Sequence, residues 1–252
     1  MESVDRALLV LQALARAGGQ GIPLADLAGE LGLNKSTVHR VLAALRYRDF
    51  VTQDHATGAY LLGPAAIGLR ETYLADDQLP LLLHAALAAL SGETAELVHL
   101  GVLNGAHVLY LDKVEPQRSV RVWSAVGRRR PAASTALGRA LLAYRGTTAE
   151  MLGGYVQATG VDDEGLAAPV SAERLWQALE DARLRGYAVE QEENEPGISC
   201  LAVPLLRGGS PVAAVSITAP AERMAEDRLP RLHEQVRRVL PPLLPAGLSL
   251  PG

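Results

Sequence analysis

Residues 33–45 read LNKSTVHRVLAAL. Val38, Val41, Leu42 and Leu45 recur at the spacing that lines one side of a helix, while Ser36, Thr37, His39 and Arg40 fall off that side, toward solvent. Asn34 stands in the N-cap position of a helix that runs to about Tyr47. Over residues 33–48 the charges are Lys35, Arg40, Arg46 and Arg48, with His39 among them and no acid. Acids occur elsewhere nearby, at Glu2, Asp5, Asp26 and Glu30, so charge is sorted along the chain rather than mixed. Taken alone, the stretch reads first as a solvated basic face and only second as a helix built to be read against a partner.

The neighbours decide. Val4, Ala7, Leu8, Leu11, Leu14 and Ala15 predict a helix over residues 3–17, ended by Gly18-Gly19. Pro23 to Glu30 predicts a short second helix with Leu24, Leu27, Ala28 and Leu31 as its apolar stripe. The connection to the third helix is the short turn Leu31-Gly32-Leu33. FVTQDHATGAYLLG (50–63) then alternates on both sides of Thr57-Gly58, predicting strand, tight turn, strand. Helix, helix, short turn, helix, hairpin is the order of a winged helix-turn-helix, expected here over residues 1–63. In that fold the third helix enters the major groove of DNA. Asn34, Lys35, Ser36, Thr37, His39, Arg40, Arg46 and Arg48 are the candidate DNA contacts. Lys35 and Arg48 suit phosphates, and Ser36, Thr37, His39 and Arg40 suit the groove. The wing tip, His55 to Gly58, has no Lys or Arg and predicts a light contact.

The chain has 252 residues and a net charge of −4, so nucleic-acid binding must come from this local patch. The longest apolar runs, such as LPLLLHAALAAL (79–90), are shorter than the ~20 residues that span a bilayer. The N-terminus carries Glu2 and Asp5 where a signal peptide is basic, so a cytoplasmic location without membrane contact is expected. One cysteine, Cys200, leaves no intrachain disulfide framework.

Residues 64–78 predict a linker helix, and residues 79–252 a second domain. It opens with a helix over 79–91, followed by strands at 96–103, 106–114 and 119–127, the first two joined at Asn104-Gly105. Helices follow at 134–144 and 171–186, the latter with Ser171 as N-cap. Strands at 187–193, 199–207 and 211–218 come next, the last pair turning at Gly208-Gly209, and a final helix spans about 222–243. Short turns between neighbouring strands predict an α+β domain on a mostly antiparallel sheet.

Within this domain Ser134 and Thr135 precede a helix, where backbone N–H groups favour an anion or simply an N-cap. Ser216 and Thr218 alternate onto one face of the last strand. Cys200 follows the Pro196-Gly197 turn. A lone thiol is usually a small apolar side chain, and no histidine near it in sequence offers the base a nucleophile needs. His99, His107, Glu190 and Cys200 are metal-ligand types, but their spacing follows no metal motif, and neither metal nor cofactor is expected.

The chain resembles the IclR-type transcriptional regulators. The matching stretches are VDRALLVLQAL (4–14), LADLAGELGLNKSTVHRVLAAL (24–45), TGAYLLGP (57–64), SAVGRRRPAASTALGRALLAY (124–144), RGYAVEQEENEPGISCLAVPL (185–205) and VAAVSITAP (212–220). The resemblance implies a two-domain α/β protein: winged helix-turn-helix, linker helix and a C-terminal GAF- or PAS-like effector domain. It also implies a dimer or tetramer on pseudo-palindromic DNA operators, a repressor controlled by a small-molecule effector, in the first place an organic acid. Carried over, the effector residues are Ser134, Thr135, Ala136, Leu137, Glu190, Cys200, Ser216 and Thr218. Two depart from the pattern: Leu137 is bulkier than the alanine of some relatives, and Glu190 reaches further than their aspartate. The reading from another class is a metabolite sensor or enzyme whose winged helix makes protein contacts. The sequence shows no nucleophile–base pair or Gly-rich phosphate loop to support an enzyme.

Overall fold

The computed structural model describes residues 2–66, 79–118, 122, 124–161 and 169–252. The chain divides into two compact units, Met1–Gln78 and Leu79–Gly252. The linker helix expected over 64–78 lies, from residue 67 onward, outside the described residues.

In the first unit α1 (Glu2–Ala17), α2 (Leu24–Glu30) and α3 (Lys35–Tyr47) precede a hairpin of β1 (Val51–Gln53) and β2 (Tyr60–Leu62). Val10, Leu14, Leu27, Val38, Leu42, Val51 and Tyr60 form one core, each helix and both strands giving their apolar side to it. The α2–α3 turn needs Gly32, whose φ of +63° lets Leu33 N donate back to Ala28 O at 3.0 Å. A bridge between Ile22 and Tyr60 ties the α1–α2 connection to the wing.

The wing corrects one expectation: its turn is not the tight Thr57-Gly58 pair. Gln53 still pairs with Tyr60, and residues 54–59 form the connection. Asp54 Oδ1 accepts from Ala56 N at 2.7 Å, and Gly58 N donates to Asp54 O at 2.8 Å. A side-chain carboxylate that satisfies local N–H groups organises the longer loop in place of a two-residue turn.

The second unit is built on a seven-stranded antiparallel sheet among the described residues. Its strands are β3 (Leu97–Asn104), β4 (His107–Val114), β5 (Arg129–Pro131), β6 (Ala188–Gln191), β7 (Ile198–Arg207), β8 (Ser210–Pro220) and β9 (Leu248–Ser249), in the order β5-β4-β3-β8-β7-β6, with β9 against β7. Successive side chains of β8 alternate between the two faces of the sheet, whose register shifts at Leu100/Gly101 and at Leu205/Leu206. Val215 and Ile217 of β8 point into a core with α4 (Leu79–Thr94) and α8 (Leu229–Val239). Ala202 and Ala214, on the opposite face, pack beneath α5 (Ala136–Tyr144) and α7 (Ala172–Arg185).

Two glycines set how closely α5 approaches this face. A Cβ on Gly138 would stand 2.1 Å from Ala132 O, and one on Gly101 would stand 3.1 Å from Leu137 Cδ1. No larger residue fits the first position, and the second is filled by the side chains of Val108 and Leu137.

Three further expectations differ. Of the strand expected over 119–127, residues 119–121 and 123 lie outside the described residues. Residues 124–127 are not strand: Gly127 takes a φ of +85° and donates to Tyr110 O at 2.8 Å, and pairing begins only at β5. The final helix is shorter than 222–243. Arg223 and Arg228 both bond the buried Glu96 carboxylate, at 2.7 and 3.2 Å, which wraps the segment before α8 into a loop, and Pro241-Pro242 closes the other end. Helix α6 (Leu152–Gln157) was not expected. No helix among the described residues is long and apolar enough to cross a membrane.

Candidate DNA-reading face and effector site

Helix α3 buries Val38 and Leu42, half-buries Val41 and Leu45, and leaves Ser36, His39 and Arg40 exposed. Asn34 occupies the N-cap position with extended backbone, but its side chain makes no capping hydrogen bond. Lys35, Arg46 and Arg48 are exposed, whereas Thr37 is half-buried on the flank nearer α1. The outward face therefore runs Ser36, Arg40, Ala43, Tyr47. Tyr47 is 80% exposed, has Arg48 at 5.2 Å from its ring centroid, and was not among the sequence candidates. Its signal is the 36–40–43–47 spacing, hidden because a tyrosine near a helix end reads as packing.

Arg46 has a second engagement. Its Nη1 donates to Gln53 Oε1 at 3.2 Å, and Gln53 Nε2 donates to Gly58 O at 3.1 Å, so a chain of side-chain bonds runs from α3 to the wing tip.

The second unit brings its sequence candidates onto one face of the sheet. Register places Glu190 opposite Cys200 and Cys200 opposite Thr218, one row across β6, β7 and β8. Cys200 Sγ lies 3.2 Å from Thr218 Oγ1, which lies 3.3 Å from His99 Nδ1; His99 Nε2 lies 2.7 Å from Ser124 Oγ. Ser216 pairs with His99 across β3 and β8 and is buried. Tyr110 stacks at 4.8 Å from the His99 ring. His99, Ser124 and Tyr110 adjoin this row and were not among the sequence candidates for an effector site. The alternation rule finds His99, directly opposite Ser216, only once the strand pairing is known.

The segment 134–137 covers this face. Ser134, Thr135, Ala136 and Leu137 are all buried. Ser134 and Thr135 hydroxyls donate to Pro131 O at 3.4 and 3.2 Å, and Thr135 Oγ1 also accepts from Gly138 N at 3.1 Å, so Thr135 is the helix N-cap. Arg139, one turn on, is buried and holds three segments together. Its Nε donates to Ala133 O at 2.9 Å, and its Nη1 donates to Val189 O at 2.9 Å and to Glu193 Oε2 at 2.7 Å. No sequence signal marks it, because each partner lies on a different element.

Glu190 sits beneath this clamp. Its Oε1 accepts from Glu193 N at 2.7 Å and Asn194 N at 3.0 Å. Burial nonetheless pushes its carboxyl up to about 7, against the pull of those N–H groups and of Arg139. Burial, helped by the cations Lys113 and Arg128, pushes His99 down to about 3. Burial and the neighbouring Glu190 push the Cys200 thiol well above its ordinary range, the reverse of what activates a nucleophile. The row is thus an uncharged, hydrogen-bonding surface at neutral pH apart from Glu190. Among the described residues no three His, Cys, Asp or Glu side chains converge as a metal site would require.

Comparison with known proteins agrees over both units. A model of the IclR helix-turn-helix domain matches residues 3–55, and one of the bacterial transcriptional regulator IclR C-terminal domain matches residues 72–240. The HTH-type transcriptional regulator XynR of Escherichia coli is 32% identical over 253 residues, 99% of this chain and 96% of the relative. The HTH-type transcriptional repressor AllR of Salmonella paratyphi A is 35% identical over 241 residues, 94% of this chain and 86% of the relative. An IclR homolog from Microbacterium hydrocarbonoxydans, crystallised in complex with 4-hydroxybenzoate, shares the fold with a TM-score of 0.73 over 96% of this chain and 98% of its own, at 22% identity. With both domain models matched in order, this chain belongs to the IclR family and is a DNA-binding transcriptional regulator.

Proposed function

We propose that the chain is a repressor that holds a pseudo-palindromic operator as a dimer and releases it when a small organic acid occupies the second unit. The observation that carries the DNA assignment is the acid-free outward face of α3, with Ser36, His39, Arg40 and Tyr47 toward the groove and Lys35 and Arg48 toward phosphates. The dimer is supported by α1, where Val4 and Leu8, 65% and 55% exposed, continue with Leu11 and Ala15 as an apolar stripe. A stripe at this spacing is complementary to itself across a two-fold axis. Two such domains would present their reading helices to successive major grooves, ~34 Å apart.

The effector assignment rests on the row Glu190, Cys200, Thr218 beneath residues 134–137. Hydroxyls, a thiol and helix-start N–H groups suit the oxygens of an acid, and the 4-hydroxybenzoate complex of the Microbacterium homolog supports that ligand class. An effector acts by binding one arrangement of the dimer better than another. The test is fluorescence anisotropy with DNA flanking the chain's own gene, over a range of salt. The expected result is a steep loss of affinity with salt and release by an acid found in a thermal-shift screen of carboxylates. Absence of binding at low salt overturns the operator assignment.

A further inference from the structure

Between α1 and α3 the first unit holds a groove of about 610 Å³. Its floor is apolar, made by Ala7, Val41, Ala44, Leu45 and Phe50. Its rim is cationic, made by Arg6, Arg40 and Arg48, and no carboxylate is among the described residues that line it. This combination selects an occupant. A phosphate satisfies the rim but has no body to cover the floor, and a plain hydrocarbon covers the floor but offers no anion to the Arg40 and Arg48 guanidiniums. The volume falls within the ~300–1,000 Å³ of small-molecule sites.

We propose that this groove binds an amphipathic monocarboxylate, its carboxylate held by Arg40 and Arg48 and its apolar body laid on Val41, Ala44, Leu45 and Phe50. Guanidinium meets carboxylate through paired, charge-assisted hydrogen bonds, and apolar area removed from water supplies the rest of the affinity. The site is separate from the row on the sheet of the second unit. Arg40 and Arg48 are also cations assigned above to DNA, so an acid seated here competes with DNA directly. That competition rests on the DNA assignment, whereas the binding does not.

The test is equilibrium dialysis of the full-length protein with decanoate, decanol and inorganic phosphate as separate probes. Decanoate is expected to bind at least tenfold tighter than either of the others. Ala44→Glu sets a carboxylate among the arginines at an exposed helix position and should weaken decanoate at least tenfold. Ala44→Gln, equal in size but uncharged, should weaken it less than threefold. Leu184→Gln, an exposed position of the second unit outside the effector row, should leave decanoate binding unchanged. Three results would overturn the proposal: no binding of decanoate, phosphate binding as tightly as decanoate, or decanoate binding that Ala44→Glu leaves unweakened. Retention of duplex DNA, read on the same samples, judges the other assignment independently. Decanoate bound with duplex retention unmoved keeps the groove and removes Arg40 and Arg48 from the DNA contact.

Discussion

Arg46 and Gln53 are joined by a 3.2 Å hydrogen bond that fastens α3 to the first strand of the wing. Gln53 passes the restraint on to Gly58 O at the tip. If Arg46 serves the wing, Arg46→Ala and Gln53→Ala will weaken operator binding by similar factors, and the double variant will add little to either. Gln53→Ala will leave the salt slope unchanged, since no phosphate contact is lost. Anisotropy at several salt concentrations checks both points. A drop in slope of ~0.9 confined to Arg46→Ala would instead make that arginine a phosphate ligand.

On the proposed DNA assignment, Arg40 reads and Lys35 holds. Arg40→Ala should cost ~1–3 kcal/mol on the operator and flatten its preference over scrambled duplex. Lys35→Ala should weaken operator and scrambled duplex alike and reduce the salt slope by ~0.9. Competition titrations with both duplexes distinguish the two patterns.

On the proposed effector assignment, Arg139 is a positioning residue for the row. Arg139→Met keeps the volume but removes the donors to Ala133 O, Val189 O and Glu193. Leaving such buried acceptors unpaired costs ~2–4 kcal/mol, so chemical denaturation should show a loss of that order. A purely structural role would stop there. The positioning role adds a weakening of effector binding at temperatures where the variant is fully folded, measured by calorimetry, because the 133–135 loop and β6 lose their common anchor.

Glu190 and His99 shift in opposite directions, and their effects on stability oppose each other. The raised Glu190 carboxyl means that the folded chain keeps a proton which the unfolded chain loses between its ordinary 4.5 and about 7, so raising pH through that window costs stability. The lowered His99 means that the folded chain lacks a proton which the unfolded chain holds between about 3 and its ordinary 6.5, so lowering pH through that window costs stability. Between pH 4.5 and 6.5 the two slopes cancel. Glu190→Gln should therefore unmask a stability that falls by up to ~1.4 kcal/mol per unit of acidification, and His99→Asn a slope of the opposite sign. Urea melts across this range in the two variants and the parent decide it.

The first unit was legible because its signals are local. Apolar periodicity, Pro23, Gly32 and the charge sorting of α3 each act within a few residues of where they are written. The wing turn was misread for a local reason too: the Asp54 carboxylate competes with the Thr57-Gly58 signal and wins. The second unit was legible in its strands, since alternation and glycine turns at 104–105 and 208–209 are short-range. What stayed hidden depends on pairing. His99 joins Thr218 only because β3 lies beside β8, and Arg139 matters only because three distant segments meet at its guanidinium. The Glu96 cluster with Arg223 and Arg228 shortened the last helix by the same kind of long-range contact.

The row from Cys200 through Thr218 and His99 to Ser124 has one property that its distances alone do not express. A thiol, two hydroxyls and a neutral imidazole can each either give or take a hydrogen bond. The whole row can therefore reverse its polarity by shifting protons, with every heavy atom in place. Its end at Cys200 keeps some accessible surface. A molecule that docks there with a lone pair and one that docks with a hydroxyl would meet the same scaffold wired in opposite senses, so the grammar of the site is written by whichever visitor arrives.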